Sequence, residues 1–397
     1  MNLDTMWKDL ESVGLDKTTG GYRRYAWTAE DAMLGEWFEA EAAARGLDCL
    51  KDRAGNQWAW WGDPDAAVAA GRPGIVVGSH LDSVPDGGPF DGPLGVIAGF
   101  SAIDVLRSEQ ATPNRPIGVA RFVDEEGARF GVACVGSRLL AGSIDPDLAR
   151  SLLDDDGVSM AEAMSLAGID ARHVGPDTEV LRRVGCFLEL HIEQGRALID
   201  TQHQVAVASS IWSHGRWRLE IEGEANHAGT TRLEDRRDPM LVLADVTQAA
   251  RHSASAHGCL ATIGRVRVQP NAVNAIPSRV DAWLDARAPA EHEVRAVAEE
   301  VSRAGKTAAV EESFTPATHF PSDLRDRVIK TLGDVPSLAT GAGHDSGILA
   351  TAGITTALLF VRNPTGVSHS PREYAEREDC LAGIRAVATV ISDLACK

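Results

Sequence analysis

The 397-residue sequence has no C-x-x-C pair, no internal repeat, no low-complexity tract and no long unbroken apolar run. A membrane-spanning helix needs roughly 18 or more consecutive apolar residues, so none is expected. The cysteines, Cys49, Cys134, Cys186, Cys259, Cys380 and Cys396, are scattered. That spacing argues against a thiolate zinc site or a disulfide frame and points to reduced thiols in a cytoplasmic protein. Residues 1–14 mix acids and lysine with single apolar side chains, so a signal peptide is not expected. Positive charge is also in short supply: 39 basic against 57 acidic side chains leave a net charge of −18. Such a chain repels phosphate backbones, so nucleic acid is not an expected partner. An anionic small molecule remains compatible, because a pocket can carry its own sign.

What is present is ordinary for a globular protein: 44% hydrophobic and 24% charged residues, enough for two or three domains. Gly74–Gly78 is a short apolar run between glycines, the pattern of a buried parallel strand. Ile117–Val123, Gly185–Leu190 and Thr356–Val361 read the same way, and helical spacing appears at Ala29–Gly46, Gly95–Leu106 and Glu376–Leu394. Strands alternating with helices predict an α/β fold whose large sheet is mixed, mostly parallel and flanked by helices. The middle differs. Trp217–Glu222, Leu260–Val268 and Arg279–Asp285 read as strands, and Asp238–His252 and Glu291–Ala304 as helices. This predicts an inserted α+β domain at 209–316, with 1–208 and 317–397 forming the large domain.

Four motifs carry chemistry. In G-S-H-L-D-S-V-P-D-G-G-P-F-D-G, His80 follows the first strand directly, where α/β sheets present side chains to ligands. Asp82 can accept the free imidazole N–H and fix the tautomer, and Asp91 can bridge two cations. Taken alone, His80 reads equally as a turn histidine and Asp91 as a turn former. In F-V-D-E-E-G, three acids end a strand; they are solvated, or they face a cation. Glu125 and Glu126 point apart on an extended chain, so one can ligate while the other acts as a base. E-L-H-I-E-Q-G supplies His191, and G-V-S-H-S-P-R-E supplies His369. Either histidine in isolation is ordinarily structural. Together, His80, Asp91, Glu126, His191 and His369 form a ligand set suited to Zn²⁺, Mn²⁺ or Co²⁺.

In this order the motifs resemble the hydantoinase/carbamoylase branch of the co-catalytic metallopeptidase clan, which includes N-carbamoyl-L-amino acid hydrolases, β-ureidopropionases and allantoate amidohydrolases. The likeness runs from T-G-G-Y-R-R-Y-A-W-T at Thr19–Thr28 to the His369 motif, and H-I-E-Q-G with N-H-A-G-T-T is its most specific part. The resemblance implies two divalent ions, Zn²⁺ or Mn²⁺ with Co²⁺ or Ni²⁺ as alternatives, held by His80, Asp91, Glu126, His191 and His369. It implies that Asp82 orients His80 and that Glu125 is the general base toward a water shared by both ions. A cis peptide at Asp91–Gly92 is implied as well.

On the substrate side the resemblance assigns His227 to the scissile carbonyl and its oxyanion, Asn274 and Gln194 to polar contacts, and Arg287 to a substrate carboxylate. His344 is family-like and is expected in the pocket or as a loop support. Two departures fall near the presumed pocket: His214 stands where many relatives have Gln, and N-A-I-P-S replaces N-V-I-P-G at Asn274–Ser278. The expected activity is hydrolysis of a linear C–N bond in a carbamoyl or ureido carboxylate, allantoate or an N-carbamoyl-L-amino acid. The inserted domain is expected to act as a lid with hinges near 209 and 316 and to make a homodimer. The competing readings are a dipeptidase or aminopeptidase of the same clan, a hydrolase of another N-acyl amino acid, and a non-catalytic binding protein.

Overall fold

A computed structural model describes residues 3–396. The chain partitions into two units. One extends to Ser209 and resumes at Phe320–Leu338 and from Gly343 onward; the other comprises Ser210–His319 and Ala339–Ala342.

A nine-stranded sheet dominates the first unit. Its centre runs Ile117–Phe122, Gly74–His80, Val184–Ile192, Thr356–Val361, all parallel. The hairpin Asp48–Lys51/Gln57–Trp61 adds antiparallel strands on one side, and Val205–Ile211 does so on the other. The central strands are apolar throughout because helices cover both faces, and every residue of Gly74–His80 is buried. The helix Pro93–Ser108 is buried along most of its length, packed between the sheet and the helix Arg377–Ala395. It is correspondingly apolar on nearly every side.

Because the four strands are parallel, their carboxyl ends share one edge. His80 ends the first strand in register with Phe122, after which the chain turns into Asp124–Glu126. His191 lies opposite Phe360 on the next pair.

The second unit is a four-stranded antiparallel sheet in the order Ala309–Thr315, Ser213–Glu222, Arg279–Ala288, Leu260–Gln269. Helices Pro239–His257 and Glu291–Gly305 pack on one face, closing a core of Trp217, Leu219, Val246, Val280, Leu284 and Val297. Burial alternates residue by residue along Ser213–Glu222 and Arg279–Ala288, as a sheet covered on one side requires. The strand Ala309–Thr315 has no sequence signature: A-V-E-E-S-F-T places two acids together, and as an edge strand it buries none of its residues. Among the described residues no helix is long and apolar enough to cross a membrane.

Phe122 packs edge-on against Trp58 and Phe187, each at 5.6 Å between ring centroids. Phe122→Ala is expected to lower unfolding free energy by about 3–5 kcal/mol in a denaturant titration, as for other buried aromatic truncations.

Candidate metal centre

Two ligand groups meet at one residue. His80, Asp91 and His191 form one, fully buried; Asp91, Glu126 and His369 form the other, which opens toward the surface. Asp91 serves both, one oxygen to each. Its Oδ1 lies 3.4 Å from His80 Nε2 and 3.1 Å from His191 Nε2. Its Oδ2 lies 3.4 Å from His369 Nε2, which is in turn 3.5 Å from Glu126 Oε2.

The tautomers suit cations. His80 Nδ1 donates to the Asp82 carbonyl oxygen at 3.1 Å, and His191 Nδ1 to the Ile192 carbonyl at 2.9 Å. Each ring therefore turns an Nε2 lone pair inward, and both Nε2 atoms are buried without a hydrogen-bond partner. Orphaned buried nitrogens facing a carboxylate are what a divalent ion satisfies, so the residues present fit a metal.

Asp82 meets His80 through two oxygens. Its backbone carbonyl sets the His80 tautomer, while its carboxylate stands off at 3.5 Å. The carboxylate instead accepts the N–H of Glu125 at 3.2 Å and of Glu126 at 3.0 Å, fixing the turn that aims those two side chains. Asp124, at φ 54, makes that turn.

The Asp91–Gly92 bond is trans; among the described residues the cis peptide is Gln269–Pro270. Gly92 redirects the chain instead, with φ 85, and a Cβ there would come within 2.6 Å of the His80 ring.

Glu125 is buried, and its Oε1 accepts the Cys134 thiol at 3.3 Å. Its Oε2 lies 3.8 Å from His80 Nε2. Burial, then the neighbouring Asp345, Glu126 and Asp82, push its pKa well above the usual carboxylate range. Burial and Asp91 raise Glu126 to about 7. Burial opposes charge on His80, but Glu125, Asp82 and Asp91 outweigh it and hold its pKa well above the ordinary value. Asp91 goes the other way: burial would raise it, yet His191, His369 and His80 hold it well below.

Gln194 donates from Nε2 to Asp91 Oδ2 at 2.7 Å and sits 3.3 Å from His369 Nε2. His344 is buried against His191, rings 4.5 Å apart and edge to face. The other four expected residues lie in the second unit, in two pairs. His214 stands directly opposite Arg287 across paired strands. Arg287 is held there by Asp285, through Nε at 2.7 Å and Nη2 at 3.1 Å, and by the Gly341 carbonyl. His227 pairs with Ala275, beside Asn274. Its Nδ1 accepts the Gly229 N–H at 3.0 Å, which leaves the proton of the neutral ring on Nε2 as a donor.

The model for peptidase family M20/M25/M40 matches residues 76–393. The chain belongs to this family. Among its relatives, an N-carbamoyl-L-amino acid amidohydrolase of Geobacillus stearothermophilus is 34% identical over 99% of this chain and 98% of its own. An allantoate amidohydrolase of Escherichia coli is 28% identical over 97% and 96%. An amidase of the hydantoinase/carbamoylase family from Burkholderia vietnamiensis has the same fold, with TM-score 0.91, 27% identity and coverage of 100% and 97%.

Behind the candidate ligands of this M20/M25/M40 chain lies a layer of buried acids, of which Glu189 and Glu373 carried no expectation from the sequence. Glu189 accepts Ser79 Oγ and the Ser346 N–H; Asp345 accepts Ser137 Oγ; Glu373 binds the Asp91 loop. Their signal was available only as acids within or beside the quoted motifs.

Carboxylates whose folded pKa is raised stabilise the fold below their unfolded pKa and lose that contribution as pH rises through the folded value. Metal-free protein is therefore expected to lose thermal stability as pH rises from 4.5 through about 7, where Glu126 titrates, and on toward about 8 through Asp345. The raised histidines His80 and His191 act in the same direction. Melting temperatures in chelator across pH 5–8 check this, and added Mn²⁺ should flatten the trend.

Proposed function

We propose that the protein is a two-metal amidohydrolase that cleaves a carbamoyl or ureido C–N bond of a small carboxylate. The observation that carries this reading is the sharing of Asp91 between two cation-binding groups, with Glu125 adjacent and not needed as a ligand. The amidohydrolase relatives support the bond type.

His80, Asp91 and His191 would hold one ion, and Asp91, Glu126 and His369 the other. Zn²⁺ and Mn²⁺ suit the mixed N/O donors best, and Co²⁺ or Ni²⁺ would also bind. When bound, the ions would supply Lewis acidity, acidifying a water and polarising the scissile carbonyl. Glu125, oriented by the Cys134 thiol and the Asp82 carboxylate, would take a proton from the attacking water and return it to the leaving nitrogen. His227 Nε2–H donates to the oxyanion as the carbonyl becomes tetrahedral. Arg287 receives the substrate carboxylate on its planar fork, with His214 beside it setting which substrate fits. Gln194, Asn274 and His344 complete the polar contacts.

In this reading the inserted unit is the lid and the dimerisation domain. Leu260–Gln269 is the outer strand of its sheet and exposes Leu260 and Val266, the character of an edge that a second copy covers.

The testing experiment is ammonia release from allantoate, N-carbamoyl-β-alanine and N-carbamoyl-L-amino acids, with dipeptides as comparison, after chelation and after adding Mn²⁺ or Zn²⁺. Metal-dependent release from one ureido substrate is expected; cleavage of dipeptides alone would overturn the reading. Glu125→Gln should keep both ions but lose about 10²–10⁴-fold in kcat. Arg287→Ala should raise KM for carboxylate substrates by roughly 10–100-fold, the worth of a charge-assisted contact of about 1.5–3 kcal/mol.

A further inference from the structure

Glu373 has no part in the reading above, yet its surroundings are built for it. It is 4% exposed. One oxygen, Oε2, accepts the backbone N–H of Phe90 at 2.8 Å and of Asp91 at 3.0 Å. The other, Oε1, accepts the Ser368 hydroxyl at 2.7 Å, and Ser368 Oγ is also 3.2 Å from Asp91 Oδ2. Gly88 makes the room: a Cβ there would lie 2.3 Å from Glu373 Cβ and 2.4 Å from Oε2. One carboxylate thus joins the loop bearing Asp91 to the loop bearing His369.

Both loops need tying. His369 sits at φ 52, a left-handed conformation that a non-glycine residue holds only when its surroundings impose it. The Asp91 loop is braced on its other flank by the N-terminal T-G-G-Y-R-R motif. Tyr22 and Gly87 exchange backbone bonds at 3.0 and 3.2 Å. Thr19 Oγ1 and Arg23 Nε donate to Asp86 at 2.7 and 3.0 Å. Glu373 is the matching brace on the side of the ligands.

We propose that Glu373 is a positioning residue for the metal centre, holding Asp91 Oδ2 and His369 Nε2 at cation-binding separation before a cation arrives. It rests on the two-metal reading and adds a residue that is neither ligand nor base. The demand on position 373 is geometric. It needs one acceptor oxygen for two N–H groups and a second polar atom for Ser368. Glutamine meets it: its Oε1 can accept both N–H groups while its Nε2 donates to Ser368 Oγ, whose proton still reaches Asp91.

The test is calorimetric titration of chelator-treated protein with Mn²⁺, for the parent, Glu373→Gln and Glu373→Ala, with circular dichroism to confirm folding and kcat and KM recorded alongside. The parent should take two ions. Glu373→Ala should bind one of them about 10–100-fold more weakly, the usual cost of losing a group that orients a ligand. Glu373→Gln should stay within about threefold of the parent. If the alanine variant does not fold, Ser368→Ala takes its place, with the same loss expected in smaller measure. An alanine variant that titrates like the parent, or a glutamine variant as weak as alanine, would overturn the role of Glu373 alone. A parent that binds neither Mn²⁺ nor Zn²⁺ would instead remove the metal centre itself.

Discussion

The site is organised around one buried carboxylate. Asp91 offers one oxygen to each of two ligand groups, and the geometry of everything nearby follows from placing it there. The pairing partners of Asp82, Asp91, Glu125 and Glu126 are histidines, themselves neutral or charged according to their neighbours. Collecting that much negative charge out of water is costly unless protons or cations compensate it. The cost shows in the acids themselves: burial and crowding push Glu125 and Glu126 up, and the acids around His80 push it up. The same cost makes a divalent ion the natural occupant.

The scaffold serves this arrangement by simple means. Four parallel strands deliver their carboxyl ends to one edge, and the turns that leave them are bent by Gly92, Asp124 and His369 at positive φ. Backbone carbonyls orient the two buried histidines, and the Asp82 carboxylate orients the two glutamates by their N–H groups. Side chains that neither ligate nor react thus account for much of the precision. Such supporting contacts are what let a catalytic geometry exist before the substrate does.

The second unit uses a different logic. His214 and Arg287 are neighbours because they occupy opposed positions on antiparallel strands, and Arg287 is pinned by Asp285 two residues before it on the same face. His227 faces Ala275 in a two-residue ladder, and the next residue, Ala228, donates its N–H to the Asn274 carbonyl. A sheet fixes one pair and a loop contact the other.

The central strands, the long helices and the five candidate ligands were legible in the sequence. Apolar runs ending in His or Asp/Glu are a local signal, and a buried parallel strand needs no partner to be recognised. The strand Ala309–Thr315 was not legible, because an edge strand with adjacent acids carries no alternation. Nor were the Glu125 and Glu126 N–H groups that the Asp82 carboxylate accepts, since they lie 43 and 44 positions away. The trans Asp91–Gly92 bond and the brace at Glu373 belong to the same class. Glu373 lies 282 positions from the Asp91 N–H it accepts. By itself the sequence determined which side chains are candidates for the chemistry, because residue type and strand-end position are local properties. Tertiary structure alone decided which atoms hold them in place, because those contacts join loops far apart in the chain.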